Sequence, residues 1–316
     1  MNEFSIINKY FSELAGSHGL MLKDDVATLP KDQNFAISTD TIIEEVHFLA
    51  NSDPYKIALK LMGSSLSDLA CKALVPEYYF LNLTLNDSVD EIWLEQFARG
   101  LSYIQNKYKI GLLGGDTTKH KGSLVISATV FGSYNKNIIT RNNAKIDDHI
   151  WVTGNIGDSY LGLKILCGEL DFNSEYLTNK YEEPTPRFEV RECLGSYANS
   201  AIDISDGLIQ DLEHILESSD CGAFISYGDI PFSSAARELL ETQPKWQEKL
   251  LNAGDDYEII FTSNPENEAD ILSFSEKHNC KITKIGNIRA EKGLLIKDLS
   301  SDYLRIAEPG FNHFTE

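Results

Sequence analysis

Acidic residues recur beside apolar runs along this sequence, and their positions suggest a site for hard divalent cations. They are Asp24-Asp25, Asp40, Asp68, Asp116, Asp203 with Asp206, and Asp255-Asp256. Each lies where a predicted strand or helix ends, so their carboxylates can converge, whereas carboxylates along a helix face usually meet water. A single such aspartate is more often a turn or helix-cap residue. The prediction therefore rests on the whole set.

A crowded set of carboxylates would repel a phosphate-bearing substrate unless divalent cations lay between them. Mg²⁺ fits this task, because it binds a few carboxylates, several waters and phosphate oxygens together. The chain has 48 acidic and 28 basic residues, for a formal charge of -20. Nucleic acid and anionic membranes both require a basic patch, so the composition argues against either partner.

The segment Gly114-Gly115-Asp116-Thr117-Thr118 could bring backbone amides close to a phosphate, although paired glycines mark tight turns equally well. The sequence has no GxxxxGK[ST] loop, no GxGxxG fingerprint and no protein-kinase motifs, which disfavours the common nucleotide-binding folds. It also lacks a GxSxG elbow and an HExxH pair. His47 lies close after Asp40, but an isolated histidine more often simply packs.

Hydrophobic periodicity predicts a mixture of strands and helices in both halves of the chain. Helices are expected over residues 55–70, 92–104 and 208–218, and strands over 81–85, 124–131, 150–153 and 281–288, with a helix, an acidic loop and a strand within 246–262. The polar stretch 135–148 marks a boundary. We predict an α+β protein of two domains, residues 1–140 and 141–316.

The sequence has no run of about 18 apolar residues and no signal-peptide pattern at its start, so we expect a cytoplasmic protein. Its five cysteines are scattered and odd in number, which predicts neither a disulfide framework nor a zinc site.

The order of the acidic motifs resembles that of the thiamine-monophosphate kinase family, in the superfamily shared with aminoimidazole ribonucleotide synthetase and selenophosphate synthetase. The resemblance spans nearly the whole chain. It rests on Ser38-Thr39-Asp40-Thr41, Ser67-Asp68-Leu69-Ala70 and Gly114-Gly115-Asp116, and most strongly on Ala198 through Leu208 and Gly254-Asp255-Asp256-Tyr257-Glu258.

The resemblance implies ATP-dependent phosphorylation of thiamine monophosphate to thiamine diphosphate, assisted by several Mg²⁺ ions. The implied metal ligands are Asp25, Ser38, Thr39, Asp40, Asp68, Asp116, Asp203 and Asp206. ATP would contact Gly115, Asp116, Arg141 and Ser205, and the substrate would contact His47, Asp255 and Phe311. Asp40, Asp116 and Asp206 would be the catalytic residues. Phe311 could stack on the substrate or serve as a core anchor.

The resemblance also implies a homodimer in which the N-terminal mixed α/β domain pairs its sheet with a second subunit into a barrel. The C-terminal domain would be α+β. The chain departs from the family pattern at three places. Lys23 stands where the family usually has glycine, Lys72-Ala73 where it tends to have methionine and glycine, and Ala253-Gly254-Asp255-Asp256 where Gly-Gly-Glu-Asp is common.

Two alternatives stay open at this point. Another ATP-using enzyme of the superfamily could make selenophosphate or close an aminoimidazole ring, but the first cysteine is Cys71 and lies within a helical pattern rather than a glycine-rich loop. A non-catalytic nucleotide-binding or metal-binding protein is the alternative from a different class.

Overall fold

The computed structural model describes residues 6–15, 18, 28–135, 138–298 and 303–304. Residue contacts divide the chain into two compact units. The first comprises Met1–Leu69 and Leu74–Asn137, and the second comprises Ala70–Ala73 and Ile138–Glu316. Each unit combines helices with its own mainly antiparallel sheet, so the predicted α+β class is confirmed. Within the described residues, no helix is both long enough and apolar enough to cross a membrane.

The first unit contains a four-stranded sheet and two long helices, preceded by a short π-helix at Ile7–Phe11 and a 3₁₀-helix at Ser12–Leu14. In chain order the elements are β1 (Asn34–Ile43), α1 (Pro54–Cys71), β2 (Val75–Leu85), α2 (Glu91–Tyr108), β3 (Gly111–Lys119) and β4 (Val125–Tyr134). The strand order is β1-β4-β2-β3. Only β2 and β3 run parallel, as expected for strands joined through a helix.

Helices α1 and α2 pack closely because a glycine lies between them. A Cβ atom on Gly100 of α2 would lie 2.5 Å from the Tyr55 carbonyl oxygen and 2.7 Å from the Ala58 Cβ of α1. Asp90 starts α2 by accepting a hydrogen bond from the Trp93 amide at 2.8 Å. Both helices were predicted from their apolar spacing, and both predictions are confirmed.

The two faces of the first sheet differ sharply. On β1, Ser38 bonds to Asp68 of α1 and Ile42 is buried, so this face lies under α1. Side chains on a strand alternate between faces, so Ile37 and Thr39 lie on the opposite face. Ile37 is 60% exposed there. On β1, even-numbered residues therefore lie under α1, and odd-numbered residues lie on the opposite face.

Two details of this sheet go beyond what the sequence predicted. Strand β2 contains the predicted strand 81–85 but begins earlier, at Val75, and it includes Pro76 at a register shift opposite β4. Such irregular positions tolerate the missing amide of proline. The segment from Gly114 to Thr118 belongs to β3 and forms neither a turn nor a connecting loop. Glycine spacing alone could not reveal that it pairs with β2.

The second unit contains a seven-stranded mixed sheet. Its strands are β5 (His149–Thr153), β6 (Ser200–Asp203), β7 (Gly222–Ser226), β8 (Ile259–Ser263), β9 (Ile282–Arg289), β10 (Gly293–Lys297) and β11 (Tyr303–Leu304), in the order β11-β10-β7-β9-β5-β8-β6. Its helices are α3 (Asp158–Leu166), α4 (Glu175–Glu182), α5 (Arg191–Tyr197), α6 (Leu208–Ser218), α7 (Ser234–Thr242), α8 (Gln247–Asn252) and α9 (Glu268–His278).

Two apolar clusters pack in this unit. The larger one includes Leu212 and Ile215 of α6 together with Ile260 of β8. The smaller one includes Trp151 of β5 and Phe261 of β8, which alternate with the strand residues of the first cluster. Helix α6 has the bounds that the sequence predicted, because its buried leucines and isoleucines repeat at helical spacing. The ends of β6 and β8 are thus held rigidly.

Candidate active site

Three predicted cation ligands meet on the face of the first sheet that α1 covers. The Ser38 hydroxyl donates a hydrogen bond to Asp68 Oδ2. Burial and the neighbouring charge of Asp68 raise the pKa of Asp40 to about 6, against a hydrogen bond from Ser65 that lowers it. A cation bound between these two carboxylates would relieve their mutual repulsion.

Two other predicted ligands, Thr39 and Asp116, lie elsewhere on the same sheet. Thr39 faces away from α1 and lies 3.0 Å from the Thr129 hydroxyl. Asp116 pairs in register with Asn82, and Thr118 bonds to Thr84, so these side chains also lie on the face opposite α1. Strands β1 and β3 are opposite edges of the sheet, about 14 Å apart at three strand spacings. Asp40 and Asp116 of one chain therefore do not meet.

Gly115 has a structural reason to be glycine. A Cβ atom there would lie 1.7 Å from the Leu81 carbonyl oxygen of the neighbouring strand, so the close pairing of β2 with β3 requires its absence. Its predicted role as a phosphate contact is compatible with this but is not needed to explain the residue.

His47 closes the loop that follows β1. Its Nδ1 accepts a hydrogen bond from the Ile43 amide at 3.1 Å, and its own amide donates to the Ile43 carbonyl at 2.8 Å. Because Nδ1 accepts, the proton of the neutral ring is assigned to Nε2. The ring is half-buried and fixed in orientation. It could donate to a phosphate oxygen through Nε2.

In the second unit, the predicted ligands Asp203 and Asp206 flank a short loop between β6 and α6. Asp203 is the last residue of β6 and is only 4% exposed. Asp206 precedes Gly207, whose φ of 125° lies in a region that favours glycine. The Gln210 side-chain amide donates to Asp206 Oδ2 at 3.0 Å. Ser205, predicted to contact ATP, lies between the two aspartates.

The Asp211 side chain holds the backbone of this loop through hydrogen bonds. Its Oδ2 accepts hydrogen bonds from the amides of Ser205, Asp206 and Gly207 at 3.0, 3.0 and 3.1 Å. The side chain is 1% exposed. Burial raises the pKa of Asp211 to about 7, and the three amides act against that rise. Sequence reasoning missed this residue, although an aspartate in the first turn of a predicted helix was a visible signal.

The loop that carries Asp255 packs directly on the Asp206 loop. The Asp255 amide donates to the Ser205 carbonyl at 2.9 Å, and the Tyr257 amide donates to the Ile204 carbonyl at 2.8 Å. Asp255 and Tyr257 have φ values of 68° and 50°. The Tyr257 hydroxyl also donates to Asp255 Oδ1 at 3.0 Å. Two segments far apart in sequence thus place predicted metal and substrate contacts side by side.

Two more acidic residues of the same motif have structural partners. Asp256 accepts from the amides of Gly157 at 2.6 Å and Ser159 at 3.3 Å, at the start of α3. Glu258 is buried and accepts two hydrogen bonds from the Arg187 guanidinium and one from Thr153 at 2.7 Å. These contacts anchor the loop at both ends of Asp256–Glu258.

Three predicted site residues remain: Arg141, Asp25 and Phe311. Arg141 is exposed in the second unit, and its carbonyl accepts from the Ser219 hydroxyl at 3.0 Å. Asp25 and Phe311 lie outside the described residues. Ser38, Asp40 and Asp68 belong to the first unit, and Asp203, Ser205, Asp206 and Asp255 belong to the second.

The donor atoms present suit Mg²⁺. They are carboxylate and hydroxyl oxygens, which are the hard ligands that Mg²⁺ prefers. Oxygen and nitrogen atoms of Asp206, Asp211 and His214 also lie within 4.8 Å of one another. However, one Asp211 oxygen is already taken by three amides, so this grouping is better explained as a loop anchor. The carboxylates of Asp40 and Asp68 in the first unit, and separately that of Asp206 in the second, suit a cation better.

The fold and these acidic loops together define an AIR synthase related protein. The N-terminal domain of that family matches residues 23–134, and its C-terminal domain matches residues 145–298. Within this class, the chain belongs to the thiamine-monophosphate kinase family. It is 40% identical to the thiamine-monophosphate kinase of Buchnera aphidicola subsp. Schizaphis graminum over 99% of both chains.

Solved structures agree with this assignment. The chain resembles the crystal structure of thiamine-monophosphate kinase from Stenotrophomonas maltophilia K279a with a TM-score of 0.81 and 31% identity, covering 87% of this chain and 89% of that one. It also resembles AaThiL complexed with AMPPCP and TMP, with a TM-score of 0.80 and 25% identity over 99% and 97% of the two chains.

Proposed function

We propose that this protein transfers the terminal phosphate of ATP to thiamine monophosphate, yielding thiamine diphosphate and ADP. The observation that carries the proposal is the 40% identity to a named thiamine-monophosphate kinase along essentially the whole of both chains. A similar fold crystallised with AMPPCP and TMP supports a site for a nucleotide and a phosphate ester together.

The chemistry suits a site made of acidic loops. The attacking group is a phosphate oxygen whose second pKa is about 6, so it is already largely deprotonated at neutral pH and needs no general base. The barrier lies in bringing two anions into line, which is a matter of positioning and charge neutralisation. Transfer is therefore direct, without a phosphoenzyme.

This proposal assigns the ATP contacts and the substrate contacts from the family resemblance. Gly115, Asp116, Arg141 and Ser205 contact ATP, and His47, Asp255 and Phe311 contact thiamine monophosphate. His47 Nε2–H donates a hydrogen bond to a phosphate oxygen, which the fixed ring orientation supports. The Asp255 carboxylate is held by a hydrogen bond from the Tyr257 hydroxyl, and its amide is held by the Ser205 carbonyl.

Bound Mg²⁺ would supply charge neutralisation for the two phosphate groups. The proposed ligands are Asp25, Ser38, Thr39, Asp40, Asp68, Asp116, Asp203 and Asp206, and Asp40, Asp116 and Asp206 are the proposed catalytic residues. The close approach of Asp40 and Asp68 supports this set. Because Asp116 lies on the other edge and face of the sheet, we propose that within one chain it serves a different ion from the one held by Asp40.

We also propose a homodimer that joins the first sheets of two subunits into a barrel. The exposed Ile37 and the position of β1 and β3 at the two edges of the sheet support it, because edge strands and exposed apolar side chains favour pairing. Among the described residues, β3 also forms a single bridge from Leu112 to Ala15. Light scattering coupled to size-exclusion chromatography should give twice the chain mass. A charge at Ile37, introduced as Ile37→Glu, should weaken the dimer, whereas Thr118→Glu on an exposed position of β3 tests whether that edge also contributes.

The activity is tested by incubating the protein with ATP, Mg²⁺ and thiamine monophosphate and measuring ADP and thiamine diphosphate. Stoichiometric formation of both supports the kinase. Nucleotide or metal binding without turnover would favour the non-catalytic alternative, and turnover only with another acceptor would favour a different enzyme of the superfamily.

The variant Asp206→Asn keeps the size of the side chain and removes its charge. We expect turnover to fall by about 100-fold or more with little change in melting temperature, because a lost cation contact costs several kcal/mol in the transition state. Unchanged turnover would contradict the proposed metal role of Asp206.

A further inference from the structure

The loop between β6 and α6 has a carboxyl group of its own chain in the place where such loops often bind a ligand. Three successive amides, those of Ser205, Asp206 and Gly207, point at one spot at the start of an 11-residue helix. Converging amides at a helix N-terminus attract anions such as phosphate. Here the spot is filled by Asp211 Oδ2, so these amides are not available to ATP phosphates.

We propose that Asp211 and Gln210 are positioning residues that hold Asp206 ready for a divalent cation. Asp211 fixes the backbone of the loop, and Gln210 fixes the carboxylate. This inference rests on the proposed function, because it assigns a task to residues around a proposed ligand. Neither residue is proposed to touch substrate or metal.

Gln210 restrains one oxygen of Asp206 and leaves the other for a cation. Its side-chain amide donates to Asp206 Oδ2 at 3.0 Å across one turn of α6. Carboxylates that bind metals are themselves commonly hydrogen-bonded by neighbouring groups, which fix their orientation. The unrestrained oxygen, Oδ1, would then be presented with a defined direction.

The Asp211 anchor extends to the neighbouring loop. A Cβ atom on Gly254 would lie 2.1 Å from the Ser205 carbonyl oxygen, and one on Gly207 would lie 2.6 Å from the Asn252 carbonyl. The Asp255 amide bonds to that same Ser205 carbonyl. Because the two loops fit this tightly, releasing the Asp206 loop would also shift Asp255. Asp211 therefore couples the proposed metal contact to the proposed substrate contact.

The test compares Gln210→Ala and Asp211→Asn with the control Glu217→Gln, which removes an exposed carboxylate from the same helix. Binding of Mn²⁺, as a paramagnetic substitute for Mg²⁺, is measured by electron paramagnetic resonance without thiamine monophosphate. We expect the Mn²⁺ dissociation constant to rise about 10-fold in both test variants, as for other residues that orient metal ligands, and to stay unchanged in the control.

Hydrogen exchange supplies a second measurement. In Asp211→Asn the amides of Ser205, Asp206 and Gly207 should exchange faster, because a neutral acceptor holds them less tightly. In Gln210→Ala these amides should stay protected while Mn²⁺ binding still weakens. The two variants therefore distinguish the role of Asp211, which holds the loop backbone, from that of Gln210, which orients the Asp206 carboxylate. In steady-state assays, the Mg²⁺ concentration for half-maximal rate should rise about 10-fold, with a smaller change in kcat at saturating Mg²⁺.

Unchanged Mn²⁺ affinity in a folded Gln210→Ala protein would overturn the proposal, as would an equal loss in Glu217→Gln. If Asp211→Asn does not fold, Gln210→Ala still decides the question. A grouping of Asp206, Asp211 and His214 as a metal site would instead make His214→Gln lose Mn²⁺ binding while Gln210→Ala retains it, which also overturns the proposal. Because binding and exchange are measured without turnover, failure of the kinase assay alone would leave these results interpretable.

Discussion

At the scale of single residues, the clearest energetic feature is the buried carboxylate of Glu258. Burial by itself raises the pKa of this group, but the Arg187 charge and its hydrogen bonds, with Lys180 and Thr153, hold it below its usual value of 4.5. The folded protein therefore favours the ionised form. Removing one member of such a pair leaves the other buried and unmatched, which is far costlier than losing an exposed ion pair.

We expect Glu258→Gln to lower the free energy of unfolding by about 3 kcal/mol at pH 7. A lowered folded-state pKa stabilises the fold above the usual carboxyl pKa and stops doing so as pH falls through the folded-state value. The difference between the variant and the parent protein should therefore shrink below about pH 4.5. Urea titrations at several pH values provide the measurement.

Glu189→Gln is the matched control, because Glu189 also pairs with Arg187, at 3.2 Å, but its side chain is 40% exposed. Its effect should stay within about 0.5 kcal/mol. Equal losses in the two variants, or a Glu258→Gln effect that is constant with pH, would contradict the assignment.

At the scale of elements, backbone conformation explains one departure from the family pattern. Ala73 has a φ of 57° where α1 ends, and the Leu74 amide bonds to the Leu69 carbonyl at 3.0 Å. This left-handed helix end favours glycine, which the resemblance led us to expect there. The chain thus tolerates a strained alanine at the end of α1.

Ala73→Gly should raise the free energy of unfolding by about 0.5 kcal/mol, since relief of the left-handed strain outweighs the loss of one partly buried methyl group. The control Ala98→Gly, in the interior of α2, should instead lower it by about 1 kcal/mol. Denaturant midpoints for both variants measure the two effects. Destabilisation by both changes would show that the strain at residue 73 is negligible.

Gly254→Ala tests the contact between the Asp206 and Asp255 loops. The new methyl group would collide with the Ser205 carbonyl, so we expect a loss of about 1–3 kcal/mol in stability and a higher KM for thiamine monophosphate. Gly195→Ala on α5 has open space around its Cβ and should be neutral or slightly stabilising. A normal KM in Gly254→Ala would argue against the coupling of the loops.

Local patterns predicted the elements better than they predicted the site. The apolar spacing of α6 and the paired acidic motif near Asp255 are visible in the sequence, because both depend on neighbours a few residues apart. The strand character of Gly114–Thr118 depends instead on pairing with β2, and Gly115 is explained by a contact with Leu81. The opposite placement of Asp40 and Asp116 follows from register and strand order, which no local pattern encodes.

At the scale of the whole molecule, the excess of acidic charge makes the protein sensitive to divalent cations. A formal charge of -20 disfavours compaction through self-repulsion, and it is concentrated in part in the acidic loops. A cation that binds the folded protein adds stability according to its concentration relative to its dissociation constant.

We expect Mg²⁺ at ten times its dissociation constant to add about 1.4 kcal/mol and to raise the melting temperature by about 2 °C or more. NaCl of equal ionic strength should produce a smaller rise, because it only screens charge. Differential scanning fluorimetry compares the two. In Asp40→Asn, the rise in melting temperature with Mg²⁺ beyond that with NaCl should be smaller than in the parent protein. If both salts raise the melting temperature of the parent protein equally, the effect is charge screening alone.

The strand order of the second sheet has a consequence for synthesis on the ribosome. Strand β5 is made near residue 150, yet its two neighbours, β8 and β9, are more than 100 residues further along the chain. Because loops of that length close slowly, sheets of this kind assemble late. The apolar residues Ile150, Trp151 and Val152 of β5 therefore remain without their partner strands while the later residues are synthesised. Its vulnerability to misassembly ends only when residues up to about 289 have left the exit tunnel.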